Sequence, residues 1–506
     1  MIPFYTEANI GTIFTPIEWG KWAARRYNLT QKWLEGASIF DPTCGEGHLF
    51  EALIEEALKA GQSRENLPLQ NLYGTELNAH LYENLRKKMY AKYQWNIDTT
   101  RIVCTDFFFY SSRKNFDIIF GNPPWQTFND LPDFYKDIVK PLFIKYGLVE
   151  KPNEVLLGNS RTEIAALVIV KSIAQHLKTK GEAVFFVPLS ILLNDGANKH
   201  FRTYTAQNVD FCITEIHDFI GVPVFEQIKT RYGLIHVQRN KKMTFPVAYY
   251  EYQENTWKKY FAQPIFYSTD PISKIEDQQW MNELTENFIL TLPKECMPRQ
   301  GINTCGANDM FIFDEGYEVN ADLVALSNKK QKDILLPKKF VYPLLVSKNF
   351  HSAAHSQEVN KWVLIPHQTN GKPLEPYQIE LYPELYDYLY FKRPFLAYRR
   401  GKIINAWIKR GYFWTLLGVG QYNFKPYKIA WEAYGKKVFR PKLFTGLWQA
   451  NQSLQAYIPL DELYQAKQVL QQLSQPSVEK YLQSMNMQGT MNWAQPGKIK
   501  KLIHFE

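Results

Sequence analysis

Over its first 240 residues the chain alternates between short apolar runs and longer amphipathic stretches, with glycine, proline or an acid at the junctions. Apolar runs bounded by turn residues predict buried strands, and spacing near 3.6 predicts the helices between them. Strands are expected at Ser38–Phe40, at Asn71–Glu76, within RIVCTDFF and at Phe116–Phe120. Helices are expected from Thr15–Pro16 onward, from about His48, over Ala79–Tyr90 and over Arg161–Lys178, the last on the apolar positions Ile164, Leu167, Val168 and Leu177. Gln126–Ser160 reads as a polar, proline-interrupted loop. A buried strand then ends at Pro188, another covers FCITEIHDF, and residues 221–239 suit a closing hairpin. Near residue 245 the pattern changes, which sets a domain boundary there: 1–245 and 246–506.

Unusual residues collect where the strands end. Asp41, Gly45 and Gly47 fall on a strand-to-helix turn, where glycine lets backbone approach a ligand. Glu76 and Asp106 close the next two strands; an acid at the tip of a second strand suits ribose hydroxyls, and its bland role is a charge at a helix start. Thr15, Pro16 and Glu18 read as N-cap, first helical residue and capping box. The Phe116–Phe120 strand stops at Asn122, Pro123, Pro124 and Trp125. Pro123 has no N–H and leaves a carbonyl; the Asn122 amide adds a second acceptor. Two acceptors can hold both hydrogens of an exocyclic amine, and Trp125 offers a face on which a base can stack.

Composition adds little until it is mapped. The 506 residues are 45% hydrophobic and 22% charged, the balance of a globular protein of several domains. No apolar run reaches membrane-spanning length and no targeting signal opens the chain, so a cytoplasmic protein is expected. Five scattered cysteines lack CxxC spacing, and no metal site or disulfide framework is expected. The net charge of +9 is concentrated: Phe391–Thr445 holds 13 Lys and Arg against one acid, interleaved with 14 aromatics, including Arg399 and Arg400 beside Tyr398, and Lys425 and Lys428 around Tyr427. Cations that neutralise phosphates and aromatics that stack predict a nucleic-acid groove; a solvated basic surface over an aromatic core is the plain alternative.

The order TIFTP, DPTCGEG, GTELN, CTDF, GNPPW resembles the gamma class of S-adenosylmethionine-dependent DNA N6-adenine methyltransferases of bacterial restriction–modification type. The resemblance is strong over the first half; GINTCGANDMFIF, VYPLLVSKNF and KWVLIPH extend it more loosely to a specificity region. It implies an α/β fold: a seven-stranded Rossmann-like methyltransferase sheet with helices on both faces, then a C-terminal mixed α/β target-recognition domain. It also implies that Thr15, Pro16, Asp41, Gly45, Gly47, Glu76, Asp106, Phe107 and Asn122 surround S-adenosylmethionine, with Phe107 beside its adenine. Asn122, Pro123, Pro124 and Trp125 would be catalytic. Trp125, Phe225, Arg399 and Arg400 would bind substrate, Phe225 having a core role as its competing reading. Double-stranded DNA is the implied partner. Only about a dozen residues precede Thr15, against roughly 100 for a nuclease domain, so any endonuclease is expected on a separate chain. A monomer is expected. Methylation of RNA or of a protein glutamine, and a non-catalytic DNA-binding subunit, remain open at this level.

Overall fold

A computed structural model describes residues 13–149, 162–196, 198–225, 228, 230–275, 288, 290–351, 356–435, 438–485 and 494–506. The chain forms two compact units, the first taking in Met1–Asp277 and the second most of the remaining chain. The first unit therefore runs about thirty residues past the expected boundary.

That unit is built on one mixed sheet of eleven strands, in place of the seven expected. Its strands are β1 (Ile39–Asp41), β2 (Leu72–Glu76), β3 (Ile102–Cys104), β4 (Phe116–Gly121), β5 (Leu177–Pro188), β6 (Thr205–Ala206), β7 (Val209–Asp218), β8 (Tyr232–Arg239), β9 (Val247–Gln253), β10 (Thr256–Pro264) and β11 (Ile272–Ile275). The order is β11-β10-β9-β7-β8-β5-β4-β1-β2-β3, with β6 paired only to β7. From β3 to β5 all pairings are parallel; β8 runs antiparallel to both β5 and β7. The unexpected strands are β6 and the β9–β11 extension, which β9 joins parallel to β7.

Successive residues of the central strands enter different cores, as a pleat requires. Phe40, Ile119 and Phe185 pack with α5 (Asp133–Lys145) and α6 (Ile164–Lys171). Ile39, Ile118, Phe120, Val184 and Phe186 pack with α1 (Ile17–Arg26), α2 (Leu29–Leu34), α3 (His48–Lys59) and α4 (Ala79–Tyr93). Helices thus cover both faces, as expected. Two local expectations fail. The loop read over 126–160 contains α5, despite Pro141 within it. The helix read over Arg161–Lys178 is α6 followed by a π-turn, Ser172–His176, and Leu177 already belongs to β5.

The second unit is mixed α/β. Arg299–Gln300, Gln455–Leu460, Tyr427–Glu432 and Lys442–Thr445 form a four-stranded antiparallel sheet in that order, accompanied by two three-stranded sheets. Trp414 and Trp431 are fully buried. Leu463–Leu473 and Pro476–Ser484 are separate helices, because Pro476 starts a new one. Among the described residues no helix is long and apolar enough to cross a membrane.

Candidate active site

The sheet order reverses at β1, which lies between β2 and β4. Open α/β sheets bind ligands outside the carboxyl ends of strands at such a point. Here the loop after β1, the tips of β2 and β3, and the turn after β4 line one pocket with about 1090 Å³ of empty space, counting the part continuous with solvent.

The loop after β1 is fastened from several sides. The Thr43 amide donates to Asp41 Oδ1 (3.0 Å), and the Thr43 hydroxyl donates to the Asn122 carbonyl (3.1 Å). Glu76 receives the amides of Gly45 (2.8 Å) and Asn78 (2.7 Å), binding the loop to β2. Gly45 has φ +53, a left-handed conformation that favours glycine. At Gly121 a Cβ would stand 3.0 Å from Pro42 Cδ, so the end of β4 and this loop pack in direct contact.

Three carboxylates converge there, and burial raises the pKa of each. Asp41 is pushed up to about 8, burial first and the Glu76 charge adding to it against the Thr43 amide bond. Glu76 and Asp106 move up for the same leading reason. Asp106 accepts from the Phe108 amide (2.8 Å) and the Tyr135 hydroxyl (2.7 Å). A pocket that crowds carboxylates in low dielectric favours a ligand bringing positive charge and hydrogen-bond donors.

The turn after β4 holds the most telling atom. Asn122 Nδ2 donates to the Ile13 carbonyl (2.9 Å) and to Thr15 Oγ1 (3.0 Å). Its Oδ1 is buried and has no partner among the described residues. Both amide hydrogens are committed, which fixes the orientation of the amide and leaves its carbonyl oxygen as an open acceptor. A buried acceptor left open costs about 1–3 kcal/mol, which a bound donor recovers.

Thr15, Asp41, Gly45, Glu76, Asp106, Phe107, Asn122 and Pro124 all line the pocket. The others stand elsewhere. Thr15 does not cap α1: Pro16 is at the N-cap, and Glu18 pairs with Lys21 (2.9 Å) instead of closing a capping box. The Thr15 hydroxyl is spent on Asn122, the more useful bond at a buried site. Gly47 faces α4, where a Cβ would meet Met89 Cε at 2.8 Å. Trp125 lies edge-on to Phe225 (4.8 Å) and stacks on Tyr232 (5.5 Å). Phe225 is buried in the same core cluster, its competing reading, and braces Trp125.

The expectation that Arg399 binds substrate is corrected. Arg399 is 6% exposed, and its guanidinium donates to the carbonyls of Leu396, Thr304, Thr415 and Phe413. Lys428 is buried too, donating to the Lys425 carbonyl, while Lys425 pairs with Asp461. Arg400 is exposed. A charge count along the sequence carries no sign of which cations turn inward.

Tyr135 and Lys171 escaped the sequence reading. The spacing of Tyr135, Val139 and Phe143, all buried on α5, would have revealed the first, had the prolines not obscured it. Lys171 is the single charge in the apolar run IAALVIVK, a signal that a buried polar role exists.

A family model described as N-6 DNA Methylase matches residues 4–290, more than half of the chain. The chain belongs to the N-6 DNA methylase family. The chain is 28% identical over 186 residues to the modification methylase CviBIII of Paramecium bursaria Chlorella virus NC1A, across 36% of this chain and 40% of that protein. It matches the fold of the type IIL restriction–modification enzyme MmeI, solved in complex with DNA, at a TM-score of 0.50 and 12% identity, over 88% of this chain and 60% of that one. The chain spans less than two-thirds of either relative.

Proposed function

We propose that this chain is a site-specific DNA adenine-N6 methyltransferase of the gamma class, using S-adenosylmethionine as the modification component of a restriction–modification system. The open Oδ1 of Asn122 carries the reading. An amide whose nitrogen is fixed by Ile13 and Thr15 presents its oxygen to an N–H donor, and an exocyclic amine is such a donor.

The pocket suits the cofactor in charge and in hydrogen bonding. Asp41 would hold its cationic methionine end, Glu76 the ribose, and Asp106 with Phe107 the adenine, all four lining the one pocket. When bound, the cofactor supplies an electrophilic methyl group. The protein's own work is positioning. The target base leaves the duplex, because a stacked adenine hides its amine. Trp125, braced by Phe225 and Tyr232, replaces the lost stacking. Asn122 Oδ1, with the Pro123 carbonyl beside it in the chain, would accept the amine hydrogens and so orient the nitrogen lone pair for transfer. The 28% identity to a modification methylase supports the restriction–modification assignment; on this reading the second unit recognises DNA.

Single-molecule methylation sequencing of DNA from a methylation-free host expressing the protein is expected to show N6-methyladenine at one recurrent motif. Unmodified DNA from cells holding folded, cofactor-binding protein would move the assignment to another acceptor. Asn122→Ala is expected to keep cofactor binding by calorimetry while methyl transfer falls roughly a hundred-fold or more. Full activity in that variant refutes the role given to Asn122.

A further inference from the structure

In the second unit, α7 (Pro383–Leu396) and α8 (Lys402–Lys409) meet at a turn that stands out from its own core. Leu396, Arg399 and Ile404 point inward, and Arg399 is riveted to four carbonyls drawn from three separate segments. The residues around them point outward. Phe391, Phe395, Tyr398 and Ile403 are 74%, 62%, 84% and 63% exposed. Arg393, Arg400, Lys402, Lys409 and Arg410 are exposed beside them, and no Asp or Glu occurs from Tyr388 to Trp431. Four large hydrophobic side chains at one turn mark an interaction surface. Cations outnumber acids here, Glu375 accepting from Tyr412 beneath Arg410, and that excess selects a polyanion as the occupant.

We propose that this turn is the element the second unit presses into duplex DNA, with Arg400 and Lys402 on phosphates and Phe395 and Tyr398 wedged against base steps. Arg399 is then a positioning residue that never touches DNA. This rests on the DNA methyltransferase reading. Wedging aromatics framed by cations are how proteins open or kink a duplex, a useful act where a base must leave the stack.

The test uses the full chain and a fluorescein-labelled duplex carrying the motif found by methylation sequencing. Arg400→Ala/Lys402→Ala is expected to weaken binding and flatten the log–log salt dependence by up to roughly 0.9 for each phosphate no longer neutralised. Tyr398→Ala should weaken binding about ten-fold with the salt slope unchanged. Cofactor binding should stay at the wild-type level in both. Wild-type binding that neither variant alters overturns the inference and gives the surface to a protein partner. Wild type that binds cofactor but no duplex overturns the DNA reading itself.

A second inference comes from beneath the pocket. Lys171, at the end of α6 and 3% exposed, donates to the carbonyls of Phe107 and Tyr110 (2.9 Å to the latter), with its Nζ 4.3 Å from the Phe107 ring centre. The loop it holds carries Asp106 and Phe107 into the pocket. Asp106 and Lys145 are the charged groups that act on it, and the neighbouring His176 is neutral, driven down to about 3 by burial. We infer that Lys171 is a positioning residue that sets cofactor affinity through this loop. Burial brings its pKa down to about 8, so the charge that strengthens both bonds fades in alkaline solution.

Calorimetric titration with S-adenosylmethionine across neutral and alkaline pH separates this role from simple packing. Relative to Lys171→Arg, which shares the ionisation of Asp41, wild type should lose affinity above about pH 8. Lys171→Met should bind roughly ten-fold more weakly at neutral pH and lose that alkaline decline. Lys171→Arg should bind well and hold its affinity into alkaline pH. A folded Lys171→Met with wild-type affinity overturns the inference; so does an arginine variant with an undiminished alkaline decline.

Discussion

At the residue scale, the site is a set of polar groups whose partners are only half supplied by the protein. Asn122 is the plainest case, and Asp41 gives the clearest pH signature. Its pKa rises from an unfolded value near 4 to about 8 in the fold, so the native state holds the proton more tightly. The stability this contributes is complete below about pH 4 and is lost as pH rises through about 8. Asp41→Asn mimics the protonated form at every pH. The cofactor-free variant and wild type should therefore melt together in acid, and the variant should melt higher near pH 8, by roughly 2–4 °C per kcal/mol of relieved charge burial. Asp41, Glu76, Asp106 and Asn122 were legible in the sequence because an acid or amide closing an apolar run has few structural reasons to be there. Tyr135 and Lys171 were not, since Tyr135 enters the pocket from a later helix and Lys171 acts from beneath it, through the carbonyls of Phe107 and Tyr110. Arg399 was misread for a related reason: only its four carbonyl acceptors reveal that it faces inward.

At the scale of elements, α1 shows how packing reaches the chemistry. It begins just after Thr15, whose hydroxyl fixes the Asn122 amide, and it lies on α3, which leads out of the loop after β1. The two helices meet at Gly20, where a Cβ would stand 2.9 Å from Ala52 Cβ and 3.3 Å from Leu49 Cδ2. Gly20→Ala gains about 1 kcal/mol of helix propensity. Separating two helices in a filled core costs about 1–3 kcal/mol, and a neighbouring Cβ cannot swing aside. The variant is expected to unfold at lower denaturant and to bind cofactor more weakly, because Thr15 moves with α1. The central strands and their helices were readable from periodicity alone. α5 was not, since its prolines resemble those of a loop, and the end of α6 was not, since a π-turn leaves no periodic trace.

At the scale of the whole molecule, the extra strands were invisible because β9–β11 fall where apolar alternation weakens and the basis for a boundary looks strongest. Every residue lining the pocket nevertheless lies between Ile13 and Val168. Hydrogen exchange with and without S-adenosylmethionine should therefore show new protection at residues 13–15, 41–49, 76–81 and 106–108 and no change across 291–345. Protection spread evenly over both units would contradict a pocket built within the first. On the proposed reading, chemistry and address occupy separate stretches of one chain. A lineage could then acquire a new target sequence by rewriting the later stretch while the earlier one is inherited unaltered, and never pass through a generation that cannot methylate.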